Sequence, residues 1–111
     1  MNKYIIINTT TDNLEDVKKI QNTLLNEKLA SCVQISNITS HYSWDGKLEE
    51  TNEYLIVIKT RKSLFSLIET RIKELHSYNT PEIISYDLTN VSKEYSKYID
   101  ENTIENSEMQ V

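Results

Sequence analysis

Ser31-Cys32-Val33-Gln34-Ile35-Ser36-Asn37-Ile38-Thr39-Ser40-His41-Tyr42-Ser43-Trp44-Asp45-Gly46-Lys47-Leu48 is the stretch that decides the fold. From Ser31 to Trp44 the pattern has period two, the signature of a strand with two unlike faces. Val33 and Ile35 share one face, whereas Ile38, Ser40, Tyr42 and Trp44 follow in the opposite parity. One extra residue reconciles the two halves, which predicts a β-bulge near Ser36-Asn37. Asp45-Gly46 then marks a type I′ hairpin turn, because both central positions of that turn require positive φ. The return strand begins near Lys47-Leu48 and is clearest in Tyr54-Leu55-Ile56-Val57-Ile58. Each arm is expected to reach about 12 residues, twice the usual strand length. A small domain cannot cover such a hairpin alone. Its tip is either solvated or paired with another chain.

The flanking segments supply the rest of a layered fold. Tyr4-Ile5-Ile6-Ile7, bounded by Asn8-Thr9-Thr10-Thr11, reads as a buried central strand. Asp12-Asn13-Leu14-Glu15 has the form of a capping box with Asp12 as N-cap. Behind it Leu14, Val17, Ile20, Leu24 and Leu25 recur at helical spacing, giving one apolar face as far as about Leu29. Beyond the hairpin, Ser63 is placed to cap a second helix with Leu64, Leu67, Ile68, Ile72 and Leu75 inward. Pro81 ends helical structure and opens a fourth strand, Glu82 to Leu88. A short amphipathic helix is expected over Ser92 to Ile99, with Tyr95, Tyr98 and Ile99 inward, before a polar tail that frays from Asp100 onward. The order β-α-β-β-α-β plus a terminal helix is the split βαβ arrangement of an α+β, ferredoxin-like sandwich, with both main helices on one face of an antiparallel sheet.

Length allows one domain, expected over residues 1–100, with 101–111 as the tail. Cys32 is the single cysteine, so no intramolecular disulfide forms and a reducing, cytosolic setting is the expectation. No apolar run approaches the roughly 18 residues of a membrane span, and the N-terminus enters a strand directly, so neither a signal peptide nor a membrane partner is expected. The formal charge is −5, from 17 acidic and 12 basic residues, with no run of five Lys or Arg; nucleic acid is not an expected partner. Seven tyrosines against one phenylalanine suit either wet-edged interfaces or half-buried strand positions. One glycine and one proline imply few tight turns and long elements.

Four blocks carry a closer resemblance. They are Lys28-Leu29-Ala30-Ser31-Cys32-Val33-Gln34-Ile35, Ser40 to Glu49 with its Tyr-x-Trp-x-Gly-Lys tip, Lys59-Thr60-Arg61, and His76-Ser77-Tyr78-Asn79-Thr80-Pro81-Glu82. In order and spacing they resemble the CutA family of divalent-cation tolerance proteins, from about Tyr4 to Tyr98. The resemblance implies a homotrimer of ferredoxin-like subunits, similar in assembly to the PII signalling proteins, with the long hairpin reaching a neighbour's sheet edge. It implies a role in tolerance of divalent metals, with copper the metal linked to members, and no attached reaction. Tyr42, Trp44 and Gly46 at the tip then belong to the trimer interface. Asn8 stands where some members carry a cysteine, and Leu75-His76 where some carry paired histidines.

For metal binding the candidates are Cys32, His76 and Glu82, with His41 and Glu53 as further donors; thiolate and imidazole suit copper or zinc, and carboxylates complete a shell. No Cys-x-x-Cys or His-x-x-x-His spacing announces a site. Each residue also has a plain structural role: Cys32 as a small strand residue, His41 as a solvated one, His76 as the partner of carbonyls at a helix end. A second class is a small-molecule cleft between chains, formed by Lys59, Tyr78 and Glu82 with Trp44 of a neighbour. Alternatively Lys59 and Glu82 merely pair, and Trp44 is an anchor. A third option is a scaffold for partner proteins. Catalysis is not expected: there is no glycine-rich elbow or phosphate loop, and only two histidines.

Overall fold

The structure, a computed structural model, describes residues 2–105. Its elements are β1 (Tyr4–Thr11), α1 (Leu14–Asn26), β2 (Cys32–Trp44), β3 (Lys47–Arg61), a 3-10 turn (Lys62–Leu64), α2 (Phe65–Leu75), β4 (Ile84–Asp87) and α3 (Lys93–Glu101). The four strands lie in the order β2-β3-β1-β4, and every neighbouring pair is antiparallel. This is the ferredoxin-like topology expected from the sequence. Strand alternation divides the sheet cleanly. Ile5, Ile7, Ile56 and Ile58 point to one face and pack with Val17, Ile20 and Leu24 of α1 and Ile68 and Ile72 of α2, all almost fully buried. The intervening residues point to the other face, where Ile84 and Tyr86 of β4 stay about half exposed.

The hairpin exceeds expectation in length and differs in detail. β2 has 13 residues and β3 has 15. Asp45 and Gly46 have φ of 50° and 75°, the positive pair a type I′ turn demands. The bulge is absent: pairing runs without a break from Cys32↔Lys59 to Trp44↔Lys47. The parity switch has another cause. Val33, opposite Ile58, packs against the helix layer, but Ile35 lies beyond that cover and is 38% exposed. Past it the apolar side chains Ile38, Tyr42 and Trp44 occupy the opposite face, in phase with Ile84 and Tyr86. What changed was the surroundings of the strand, not its backbone phase.

The helix ends also correct the sequence reading. The N-cap of α1 is Asn13 and not Asp12; its Oδ1 accepts from the N–H groups of Glu15 (2.8 Å) and Asp16 (3.3 Å). The reciprocal half of the cap is relayed: Asn13 N–H donates to Thr11 Oγ1, which donates to Asp16 Oδ2. Helix α1 stops at Asn26, short of Leu29, in a Schellman motif: Leu29 N–H donates to Leu24 O and Lys28 N–H to Leu25 O. Lys28, at φ 57°, fills the left-handed position glycine usually takes, so no glycine flagged this stop. Leu14 and Leu25 lie at the rim of the apolar face, 48% and 42% exposed. Ser63 caps nothing, because the 3-10 turn precedes α2 and neither start has a side-chain cap.

Strand β4 is shorter than expected. It begins at Ile84, three residues after Pro81, where pairing with Asn8 starts. Ser92 caps α3 as expected, its Oγ accepting from Tyr95 N–H. Ile99 is fully buried, but Tyr98 is 45% exposed. The chain past Asp100 stays docked as far as Ile104, whose N–H donates to Lys28 O, while Arg61 Nε donates to Thr103 Oγ1 at 2.7 Å. Residues 106–111 of the expected tail lie outside the described residues.

Candidate functional site

Where β1 ends, four segments meet in a polar network. Asp16, in the first turn of α1, is 4% exposed, and its Oδ2 accepts from Thr11 Oγ1 (2.8 Å), Ser77 N–H (3.0 Å) and Ser77 Oγ (2.6 Å). Burial pushes the Asp16 carboxyl up, but the hydrogen bonds from Ser77 and Thr11 outweigh it, and the net shift is downward. His76 follows α2 with a fully buried side chain. Its Nε2–H donates to Thr10 O at 2.7 Å and its Nδ1 accepts from Tyr78 N–H at 3.0 Å. That assignment of donor and acceptor makes it the neutral Nε2–H tautomer. Both nitrogens are occupied, which leaves no lone pair for a metal in this arrangement.

The network continues outward. Tyr78 leans on the His76 ring, with centroids 4.7 Å apart, and its hydroxyl donates to Glu53 Oε2 at 2.9 Å while accepting from Asp12 N–H at 3.0 Å. Burial, then the hydrogen bond to Glu53 and its charge, push the Tyr78 phenol up. Glu53 is only 8% exposed, and among the described residues no Lys, Arg or His lies within ion-pair reach of it. It lines a surface groove of about 510 Å³ with Asp12, Asn37, Thr39, Asn52 and Tyr54, at the root of the projecting hairpin.

The metal candidates do not come together within one chain. Cys32 pairs with Lys59, two strands from β1 at the level of Ile6, whereas His76 bonds Thr10 four residues further along β1, a separation of about 13 Å in the strand direction alone. Glu82 is exposed ahead of β4 and accepts no hydrogen bond or ion pair among the described residues. No three His, Cys, Asp or Glu side chains gather as a metal-holding group among those residues. His41 lies across from Glu50 (3.6 Å) on the solvated hairpin, both about two-thirds exposed.

The cleft residues are likewise spread out. Lys59 does not meet Glu82; its ammonium sits 5.6 Å from the centroid of Tyr95 on α3, a cation–π contact. Tyr78 belongs to the network around Glu53. Trp44 is 60% exposed at the hairpin tip beside Gly46, and Tyr42 is 42% exposed with its hydroxyl 2.8 Å from Thr51 Oγ1. Sequence reasoning missed Asp12, Thr11, Asp16 and Ser77. The available signal was Asp16 at the third helical position, once Asn13 is recognised as the cap.

This fold and these blocks match known proteins over nearly the whole chain. The family sequence model described as CutA1 divalent ion tolerance protein matches residues 5–102. The chain is 39% identical over 99 residues to the divalent-cation tolerance protein CutA of Pyrococcus horikoshii, covering 89% of this chain and 97% of that protein. It is 37% identical to the chloroplastic protein CutA of Arabidopsis thaliana, covering 89% of this chain and 55% of that one. Among solved structures, CutA1 from Oryza sativa superposes with a TM-score of 0.89 at 33% identity, covering 95% of this chain and 97% of that one. A variant of Pyrococcus horikoshii CutA1 gives 0.87 at 39%, covering 91% and 99%. Sequence and architecture agree throughout: the chain belongs to the CutA1 divalent ion tolerance protein family.

Proposed function

We propose that this chain serves divalent-cation tolerance, copper above all, as a homotrimer without catalytic activity of its own. The family's name supports the cation role. The observation that carries the assembly is the uncovered face: Tyr42 and Trp44 lie in phase with Ile84 and Tyr86, and all four are 42–60% exposed. Rings such as these bury about 150–250 Å² each, and at about 25 cal/mol/Å² the Trp–Tyr pair is worth several kcal/mol when covered. Metal donors are dispersed within the subunit, so a metal centre in this reading draws ligands from more than one copy.

Light scattering is expected to give three times the subunit mass, and Trp44→Ala to shift it toward monomer. Cells lacking the gene should grow less well in elevated Cu²⁺, with rescue by the wild-type gene and weaker rescue by Trp44→Ala. A monomeric wild type refutes the assembly; undiminished growth of the deleted strain refutes the tolerance role.

A further inference from the structure

His76 secures the loop after α2 only as a neutral ring. Its Nε2–H donates to Thr10 O and its Nδ1 accepts from Tyr78 N–H at 3.0 Å, so a second proton on the ring would set two N–H groups against each other. An acceptor for that proton is already at hand. Asp16 Oδ2 lies 3.8 Å from Nδ1, and the Asp16 carboxyl keeps its charge to below the ordinary carboxylate range. Each element around the ring presents a defined group: β1 the Thr10 carbonyl, α1 the Asp16 carboxylate, the loop itself Tyr78. On α2 the nearest charges along the chain are engaged elsewhere, Lys73 with Glu69 and Glu74 with Arg71. Asp16 is the one charged group within ion-pair reach of the ring among the described residues.

Tyr78 transmits the state of the ring. Its hydroxyl donates to Glu53 Oε2 at 2.9 Å and accepts from Asp12 N–H at 3.0 Å, so one side chain ties β3 to the turn before α1. Glu53 is 8% exposed, and among the described residues this hydroxyl is its one side-chain donor and no cation reaches it. A buried carboxylate that loses its donor is disfavoured as an anion and takes up a proton instead. We propose that His76 is a proton-operated latch: protonation at Nδ1 turns the ring from Tyr78 N–H to Asp16, Tyr78 leaves Glu53, and Glu53 is protonated in turn. Two protons enter from solvent, one onto Nδ1 and one onto the Glu53 carboxyl, and no covalent bond between heavy atoms changes. The acid form holds a His76–Asp16 ion pair, a neutral Glu53 and a released segment 78–80, with Ser77 still on Asp16. The released form binds more protons than the latched one, so the latch holds at high pH and opens as pH falls. Coupling two protonations to one movement makes the response steeper than that of a lone histidine. The device uses contacts within one subunit and does not depend on the assembly proposed above.

The test follows the full chain by NMR between about pH 8 and pH 5, the interval in which imidazoles change charge. Ring nitrogen shifts report the tautomer and protonation of His76, and amide exchange corrected for its intrinsic rate reports the latch. At the alkaline end His76 should be the Nε2–H tautomer, with the Tyr78 and Asp12 amides protected. As the ring charges, both amides should lose protection together by about tenfold or more, with about two protons taken up per subunit, while the paired amides of β1 and β3 stay protected. His76→Gln, a neutral side chain with its own donor and acceptor, should keep protection flat across the range. Glu53→Gln should keep the release but cut the uptake to about one proton, and Asp16→Asn should move the release to lower pH. A ring that stays neutral to the acid end, or that charges with Tyr78 protection unmoved, overturns the latch. So does a His76→Gln variant that releases as wild type does, or loss of β1 and β3 protection at the same pH, which is general unfolding. Should His76→Gln fail to fold, Glu53→Gln decides: uptake and steepness equal to wild type overturn the coupling.

Discussion

Asp16 is the residue whose removal tests the polar network most directly. Its Oδ2 takes three donors from two segments, so Asp16→Ala unties the start of α1 from the loop after α2 in one step. The three donors fare differently. Ser77 is exposed and its hydroxyl turns to water, but Thr11 is fully buried and its hydroxyl is stranded. A stranded buried donor costs about 1–3 kcal/mol, and a lost hydrogen bond to a charge about 1.5–3 kcal/mol. Since the terms overlap, about 3 kcal/mol in all is expected, or a fall in Tm of roughly 10–20 °C for a domain of this size. Asp16→Asn, which keeps an acceptor and loses the charge, should cost about half. Urea unfolding at fixed protomer concentration measures both, since the proposed assembly would make stability concentration-dependent. The pH dependence supplies the second half. The folded pKa lies below the unfolded one, so the unfolded chain binds the proton first. The stabilisation is full above the ordinary carboxylate value, near pH 4, and is lost as pH falls through the lower folded value. Wild type should therefore lose more stability than either variant in that window. A cost under about 1 kcal/mol for Asp16→Ala, or acid limbs that coincide, would refute the reasoning.

His76→Ala removes a buried ring with two hydrogen bonds and should destabilise by about 2–4 kcal/mol, while copper titration calorimetry stays unchanged; lost copper binding in a folded variant would restore His76 as a ligand. Lys28→Gly relieves a left-handed lysine and should stabilise by about 0.5–1 kcal/mol in the same urea assay; a neutral or harmful effect would mean Lys28 is held by contacts worth more than the strain. Gly46→Ala should cost about 1 kcal/mol at φ +75° despite open space around it, and equal stability would imply that the turn adopts another type.

The order of elements and the sheet topology were legible because each element carries its own mark: a short β-branched apolar run in β1, a period of two in the hairpin, and 3.6 in α1 and α2. Boundaries were legible only where one residue type signals them. Ser92 announced α3 and Asp45-Gly46 the turn, whereas Lys28 in a glycine's place hid the end of α1. The bulge was inferred at Ser36-Asn37 because a change of apolar parity looks the same whether the backbone slips or the helix layer ends. The site was the least legible part. Asp12, Asp16, Ser77 and Glu53 come from segments far apart in sequence, and their burial follows from how α1, β3 and the loop after α2 converge. Glu53 and Asp12 bear no local mark of being left without a counter-charge.

The unbroken register of the hairpin limits how its length can vary. Removing one residue from either arm would turn every side chain beyond the cut to the opposite face, carrying Trp44 and Tyr42 with it. A viable shortening must delete equal numbers from both arms, two by two, which keeps the tip facing the same way while drawing it back roughly 7 Å for each such pair of deletions. The arm can therefore be reset only in fixed increments, so natural and engineered variants alike should differ in reach by whole pleats and never by half of one.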